Sequence, residues 1–77
     1  MVTKMLGKET VARNLKDLRI AKGKTIAEVS SETGLGETAL RNYECGIRIP
    51  RYTAMFTLAD YYGKTVDSIF FSAARHN

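Results

Sequence analysis

The stretch TGLGETALRNYECG, residues 33–46, holds two glycines separated by one residue, between two segments that both have helical patterns. An interior glycine costs a helix about 1 kcal/mol relative to alanine, so one helix is not expected to contain both. Gly34 is therefore predicted to end one helix in the left-handed conformation, and Gly36 to cap the next. Leu35 and Leu40 have the spacing of a hydrophobic staple, which fixes the angle at which the second helix starts.

Apolar residues recur at helical spacing along the chain, and no convincing alternation of apolar and polar residues predicts a β-strand. We predict five short helices, over about residues 9–22, 26–33, 37–45, 52–62 and 66–70. Thr25 and Glu28 have the spacing of a capping box, and Thr65 is predicted to cap the fifth helix. The sequence therefore predicts an all-α, compact five-helix single domain over residues 1–77, with its core at about 9–71 and frayed ends at 1–8 and 72–77.

Composition narrows the classes of function. The 77 residues suffice for one small domain, and no apolar run approaches the roughly 18–20 residues of a membrane span. The lone cysteine, Cys45, excludes an intrachain disulfide, suits a reducing cytoplasm and is expected to be inert. There is no Cys/His or Ser/His/Asp set, no metal-ligand spacing and no phosphate-binding glycine loop. We therefore expect no catalysis, no metal, no cofactor and no membrane partner, in a cytoplasmic protein.

Charge is unevenly distributed along the chain, whose net charge is +4. Residues 1–24 carry seven Lys or Arg against two acids, whereas residues 25–46 carry four glutamates against one Arg. The positive total favours a polyanionic partner. The predicted glycine corner nevertheless lies in the acidic third, so a nucleic-acid function has to be compatible with these carboxylates.

Two short helices joined at a glycine turn form the layout of a helix-turn-helix. The segment TIAEVSSETGLGETALRNYECGIRIPRYTAMFTLADYYGKTVDSIF resembles the lambda-repressor-like, Cro-type (XRE-type) helix-turn-helix family, and the resemblance covers about residues 9–71. The matching elements are the closing motif LADYYGKTVDSIF together with Thr25, Glu28, Ser30, Gly34, Leu35, Leu40, the pair Tyr43–Glu44, Gly46 and Pro50. The resemblance implies a five-helix DNA-binding domain, usually dimeric, with the helix-turn-helix at helices 2 and 3.

The resemblance also implies that helix 3 lies in the major groove of double-stranded DNA while helix 2 crosses the backbone. The outward residues of helix 3 are then candidates for base contacts, and their side chains have suitable chemistry: Glu37, Thr38, Arg41 and Asn42. The candidates for contacts to the DNA backbone are Arg19, Lys24, Thr25, Arg48 and Arg51. For Thr25 the contacting group is the backbone N–H at the start of helix 2.

Two positions depart from the family pattern. Ile26 stands where the first residue of helix 2 is often Gln, and Gly36 stands where Ser or Thr often caps helix 3. Both changes remove groups that position the DNA backbone, which lowers the expected affinity more than the specificity. The family's common ion pair between helix 1 and the end of helix 3 is matched by Arg19 and Glu44.

The sequence leaves the role of Glu37 open. As the first residue of helix 3 it complements the helix dipole and can pair with Arg41 four positions on, and it can also contact cytosine or a protein partner. The aromatic residues Phe56, Tyr61 and Phe71 do not all fit the inward stripe, so we regard them as candidates for a dimer contact.

The leading hypothesis is a sequence-specific DNA-binding transcriptional regulator of prokaryotic or phage type. We expect a repressor that acts as a homodimer on an inverted-repeat operator in the bacterial nucleoid. The alternative is a protein-interaction module, antitoxin-like or an adaptor, that has kept the helix-turn-helix but has weak or no specific DNA binding. Ile26, Gly36 and Glu37 motivate this alternative.

Overall fold

A computed structural model describes residues 4–71 of the chain as five α-helices. In chain order these are α1 Lys8–Lys22, α2 Ile26–Thr33, α3 Glu37–Glu44, α4 Tyr52–Tyr62 and α5 Val66–Phe70. Each predicted helix bound agrees with the structure to within one residue. The all-α, five-helix prediction is confirmed. None of the helices described between residues 4 and 71 is long and apolar enough to cross a membrane.

The corner between α2 and α3 is built as the sequence predicts. Gly34 has φ 82° and donates its N–H to the Ser30 carbonyl at 2.9 Å, whereas Gly36 is the extended N-cap of α3 with φ −67°. Side chains fix the residue between them. Thr33 Oγ1 accepts a hydrogen bond from the Leu35 N–H at 3.2 Å, and Ser30 Oγ donates to the Leu35 carbonyl at 2.6 Å. The corner is therefore held by hydrogen bonds on both sides of Leu35.

Every helix contributes to a single apolar core. Among the large core side chains, the least exposed are Val11 and Leu15 of α1, Val29 of α2, Leu40 of α3, Met55 and Leu58 of α4, and Ile69 and Phe70 of α5. α1 lies against α3, α4 and α5, and α2 lies against α3 and α4. Leu35 packs against this core from the corner. On α3, Leu40 and Tyr43 face the core, being 3% and 8% exposed.

Local side-chain hydrogen bonds define where α2 and α5 begin. Thr25 Oγ1 accepts from the Glu28 N–H at 3.1 Å, and Glu28 Oε1 accepts from the Thr25 N–H at 2.9 Å. The predicted capping box is therefore present. Thr65 caps α5 by accepting from the Ser68 N–H at 3.1 Å, which is the predicted cap.

The segment before α1 corrects one prediction. Residues 1–8 were expected to be frayed, but the Leu6 N–H donates to the Phe70 carbonyl at 2.9 Å and Met5 forms an antiparallel bridge with Phe71. The expectation is wrong for residues 5–8, because the end of the five-residue α5 leaves backbone groups that this segment satisfies while Leu6 packs on the core. The expected frayed ends at 1–3 and 72–77 lie outside the described residues.

The two corner glycines are expected to respond differently to substitution. Gly34→Ala should lower the free energy of unfolding by about 1–2 kcal/mol, because an L side chain is strained at positive φ. A Cβ at Gly34 would meet no atom within 4 Å, so the loss would come from the backbone alone. Urea denaturation followed by circular dichroism measures the change.

Gly36→Ser is the matched control at the same corner. Gly36 has a negative φ, and a Cβ added there would meet no atom within 4 Å. A serine side chain therefore fits at this position and can cap α3. It should raise the free energy of unfolding by about 0.3 kcal/mol. Equal destabilisation by both substitutions would contradict the assigned roles of the two glycines.

Candidate nucleic-acid interface

The outward face of α3 presents polar side chains to solvent. Glu37, Thr38 and Arg41 are exposed, whereas Asn42 is half-buried at the edge of the face. The Asn42 carbonyl accepts from the N–H groups of Ile47 and Arg48 at 3.0 and 3.3 Å, so the chain leaving α3 folds back on this residue. All four candidate base-contacting residues therefore lie on one helix, three exposed and one at the margin.

Glu37 and Arg41 are paired in the structure. Arg41 Nη2 donates to Glu37 Oε1 at 3.2 Å, with side chains 58% and 46% exposed. An exposed pair four residues apart on a helix contributes only about 0.3–0.5 kcal/mol. Both groups can therefore exchange this contact for another at small cost.

Arg19 and Glu44 form the expected pair in a more enclosed setting. Arg19 Nε donates to both carboxylate oxygens of Glu44, at 3.0 and 2.9 Å, and Nη1 donates to the Lys24 carbonyl at 3.0 Å. The two side chains are 17% and 10% exposed. The hydrogen bond from Arg19 to Glu44 raises the pKa of Arg19 above its ordinary value. The pair joins the last turn of α1 to the last residue of α3, and it holds the Arg19 guanidinium group against the protein through Nε and Nη1.

Lys24 and Thr25 are also engaged within the protein. Lys24 Nζ lies 3.1 Å from Glu32 Oε2. The Thr25 N–H, which was expected to be available to a phosphate, donates to Glu28 Oε1 in the capping box. An incoming phosphate would therefore compete with a carboxylate at either position. Ile26, next along the chain, is half-buried and packs against the core, which explains an apolar residue there.

Arg48 and Arg51 differ from the other candidate cations. Both are exposed, and neither forms an ion pair with any residue in the range 4–71. They line one surface groove of about 340 Å³ together with Leu35 of the corner and Thr53 of α4. Arg51 is also the N-cap of α4, and no side chain caps that helix. Two free guanidinium groups and the positive end of a helix therefore lie beside the corner.

Three of the four carboxylates of the acidic third are paired with cations. Glu28 accepts the Thr25 N–H, Glu32 and Glu37 each pair with a cation, and Glu44 holds Arg19. Among the described residues, Glu28 alone of these four carboxylates has no cation partner, so most of the acidic charge of residues 25–46 is neutralised within the protein. This is compatible with a polyanion beside α3.

Sequence reasoning missed two features of this surface. Tyr61 donates a hydrogen bond from its hydroxyl to Glu32 Oε1 at 2.6 Å, across 29 positions of sequence that give no local signal. Tyr52 is 66% exposed and stacks on Phe56, which is 61% exposed, with 6.0 Å between ring centroids. The spacing of four residues within a predicted helix could have identified this second pair.

Comparisons with known proteins agree with this geometry. The sequence model of the helix-turn-helix family HTH_3 matches residues 15–69. No curated protein sequence matches the chain significantly.

Several solved structures share the fold. The SOS-response transcriptional repressor LexA from Eubacterium rectale is 25% identical with a TM-score of 0.81, over 100% of this chain and 81% of that chain. The restriction-modification controller protein C.AhdI from Aeromonas hydrophila is 22% identical with a TM-score of 0.75, over 82% of this chain and 96% of that chain. An HTH_3 family transcriptional regulator from Vibrio cholerae is 22% identical with a TM-score of 0.73, over 80% of this chain and 35% of that chain. The present chain thus spans about a third of the Vibrio cholerae protein.

The two ion pairs of α3 are expected to differ in their contribution to stability. Glu44→Gln should lower the free energy of unfolding by about 1.5 kcal/mol, because it weakens two hydrogen bonds to a charged, largely enclosed Arg19. Glu37→Gln removes the same charge from the same helix but from an exposed pair, and should change stability by less than about 0.5 kcal/mol. Urea denaturation of both variants tests this, and a smaller loss for Glu44→Gln than for Glu37→Gln would contradict it.

Proposed function

The chain belongs to the helix-turn-helix family HTH_3, and from this premise we propose that it is a sequence-specific, DNA-binding transcriptional regulator of prokaryotic or phage type. In this proposal α3 enters the major groove and α2 crosses the DNA backbone. The observation that carries the proposal is the exposed polar face of α3, which Leu40 and Tyr43 hold against the core. Beside it lie Arg48 and Arg51, which form no ion pair within residues 4–71. The protein acts by binding, without catalysis or a cofactor, in the bacterial cytoplasm at the nucleoid.

Base readout is assigned to the four candidate residues on α3. Arg41 has the donors for guanine O6 and N7, Asn42 has an amide that pairs with adenine N6 and N7, Glu37 accepts from cytosine N4, and Thr38 contacts thymine. The weak pair between Glu37 and Arg41 supports this assignment, because an exposed pair is exchanged cheaply for contacts to bases.

Phosphate contacts are assigned first to Arg48 and Arg51. Neither forms an ion pair within residues 4–71, so neither has to leave a carboxylate in order to bind DNA. Arg19, Lys24 and Thr25 contribute less in this proposal, since each already has a partner in the protein. Of the four candidate phosphate-contacting cations, only Arg48 and Arg51 form no ion pair within residues 4–71, which predicts moderate affinity and a modest dependence on salt concentration.

We further propose that the protein is a repressor acting as a homodimer through an apolar α4–α5 face, consisting of Tyr52, Phe56, Val66 and Phe71. These residues line one groove of about 350 Å³ together with the carboxylate-bearing Asp67, and aromatic side chains are enriched at protein interfaces. Tyr61 fits this role less well than the sequence suggests, because its hydroxyl is bound to Glu32. Two copies of α3 would then read half-sites about one helical turn apart in an inverted repeat.

A protein-interaction module is the alternative function. It is favoured by the engagement of Arg19, Lys24 and Arg41 with carboxylates of the same chain, which reduces the charge available to phosphates. The two functions differ in what they predict for DNA, so one set of binding measurements separates them.

Duplexes selected from a random pool should share a preferred sequence whose binding constant falls linearly in log salt. Arg41→Ala should weaken binding to that sequence by about 1–3 kcal/mol, because it loses a bidentate base contact. Asn42→Ala should relax the preference at one base pair by a similar amount. Fluorescence anisotropy with the selected duplex and its single-base variants measures both effects.

Arg13→Ala is the control for the loss of charge. Arg13 is exposed on α1, outside the helix-turn-helix, and its removal should leave the base preference unchanged. Binding that is weak for every duplex and indifferent to Arg41→Ala would reject the regulator and favour the protein-interaction module.

The dimer is tested by the mass of the protein in solution. Phe56→Ser should convert a dimer to a monomer in size-exclusion chromatography with light scattering, because it removes an exposed aromatic side chain from the proposed interface. Ile20→Ser is the matched control, since Ile20 is 58% exposed but lies on α1. If both variants keep the mass of the unmodified protein, the α4–α5 face is not the interface.

A further inference from the structure

A polar network connects the loop before α2 to α2 and α4. Glu32 of α2 accepts from the Tyr61 hydroxyl of α4 at 2.6 Å through Oε1, and from Lys24 Nζ at 3.1 Å through Oε2. Lys22 Nζ lies 4.9 Å from the centroid of the Tyr61 ring. We call Glu32, Lys24 and Tyr61 the Glu32 network. The Glu32 carboxylate thus binds the Tyr61 hydroxyl of the rigid α4 through one oxygen and the flexible ammonium group of Lys24 through the other.

The carboxylate is held more firmly than the lysine. Tyr61 is half-buried on α4, which is fixed to the core by Leu58 and Ala59. The Tyr61 ring packs edge-on against the Tyr62 ring, with 5.0 Å between the ring centroids. The hydrogen bond from Tyr61, followed by that from Lys24, lowers the pKa of Glu32 below its ordinary value. Desolvation and the bond to Glu32 raise the pKa of Tyr61 to about 12, so its hydroxyl stays a donor. Glu32 therefore keeps its place when Lys24 moves.

The pair formed by Glu37 and Arg41 behaves differently. Both residues lie on α3, and Glu37 accepts a side-chain hydrogen bond from Arg41 alone among the residues described in the structure. Its carboxylate is therefore free to follow the guanidinium group or to turn to a base. Glu32 lacks this freedom because Tyr61 binds its other oxygen.

We propose that Glu32 is a positioning residue for Lys24, which it holds on the protein surface and must release before the ammonium group can neutralise a DNA phosphate. This inference rests on the proposed function. Release leaves the Tyr61-bound carboxylate without its cation beside the DNA backbone. The contact of Lys24 with the phosphate then adds little net affinity, because the contact with Glu32 is lost. The phosphate releases a counterion, but the Glu32 carboxylate takes up a cation from solution, so the two effects on the salt dependence offset each other. The effect concerns the backbone, so it is the same for every DNA sequence.

Glu32→Gln tests the release step. The glutamine side chain is neutral but can still accept from Tyr61, so the fold is preserved while the hold on Lys24 weakens. Binding should strengthen roughly fivefold for the selected duplex and for an unrelated duplex alike, as expected when an exposed ion pair need not be broken. The slope of log binding constant against log salt should become steeper by about 0.9, the value for one added phosphate contact.

Glu28→Gln is the matched control on the same helix. It removes the same charge, and glutamine can keep the capping box with Thr25, but Glu28 has no contact with Lys24. It should change the affinity less than Glu32→Gln and leave the salt slope unaltered. Equal effects from both substitutions would reduce the role of Glu32 to its charge alone and overturn the proposal. Thermal unfolding of each variant verifies that it is folded.

A double-mutant cycle with Lys24→Gln gives the decisive readout. In the unmodified protein, Lys24→Gln should weaken binding less than about twofold, because Lys24 is held by Glu32. In the Glu32→Gln background the same substitution should weaken binding roughly fivefold, since Lys24 then reaches a phosphate without competition. Equal losses in the two backgrounds, with DNA binding retained, would overturn the positioning role and leave the proposed function intact. Absence of binding to any duplex at low salt, with or without Glu32→Gln, would overturn both.

Discussion

The position of α3 depends on the three residues from Gly34 to Gly36, which turn the chain between two helices of eight residues each. Such short helices are not stable in water alone, so their geometry comes from tertiary packing. Leu35 packs against the core, and the hydroxyl of Ser30 binds its carbonyl, so the corner is fixed to both α2 and the interior. The outward face of α3 is consequently presented by a rigid support.

Electrostatic contacts divide into two kinds around this support. The contact between Arg19 and Glu44 is largely enclosed and joins α1 to the end of α3, so it serves the fold. The contacts of Glu32 and Glu37 with their cations are exposed and cost little to break. In the proposed function, these exposed pairs hold Lys24 and Arg41 on carboxylates of the same chain and release them to DNA. This explains how an acidic stretch of sequence can lie in a helix-turn-helix.

Features that depend on local chemistry could be predicted from the sequence, and features that depend on distant contacts could not. The helix bounds follow from glycines and from capping residues such as Thr25, whose effects act within a few residues. The pair Arg19–Glu44 was expected only because the sequence resembles a known family. The bond from Tyr61 to Glu32 and the bridge from Met5 to Phe71 join residues far apart in sequence, and nothing near either end indicates its partner.

The acid at the start of α3 can be understood by comparing energies. Glu37 complements the helix dipole and holds Arg41, contributions of a few tenths of a kcal/mol each at an exposed position. A bidentate contact of Arg41 to guanine discriminates by about 1–3 kcal/mol, so in the proposed complex Arg41 leaves Glu37 for the base. The carboxylate then stands beside phosphates with no cation of its own unless it accepts from cytosine N4. In the proposed complex, Glu37 would therefore penalise every sequence that lacks such an amino group, and it would contribute specificity by weakening the wrong complexes more than by strengthening the right one.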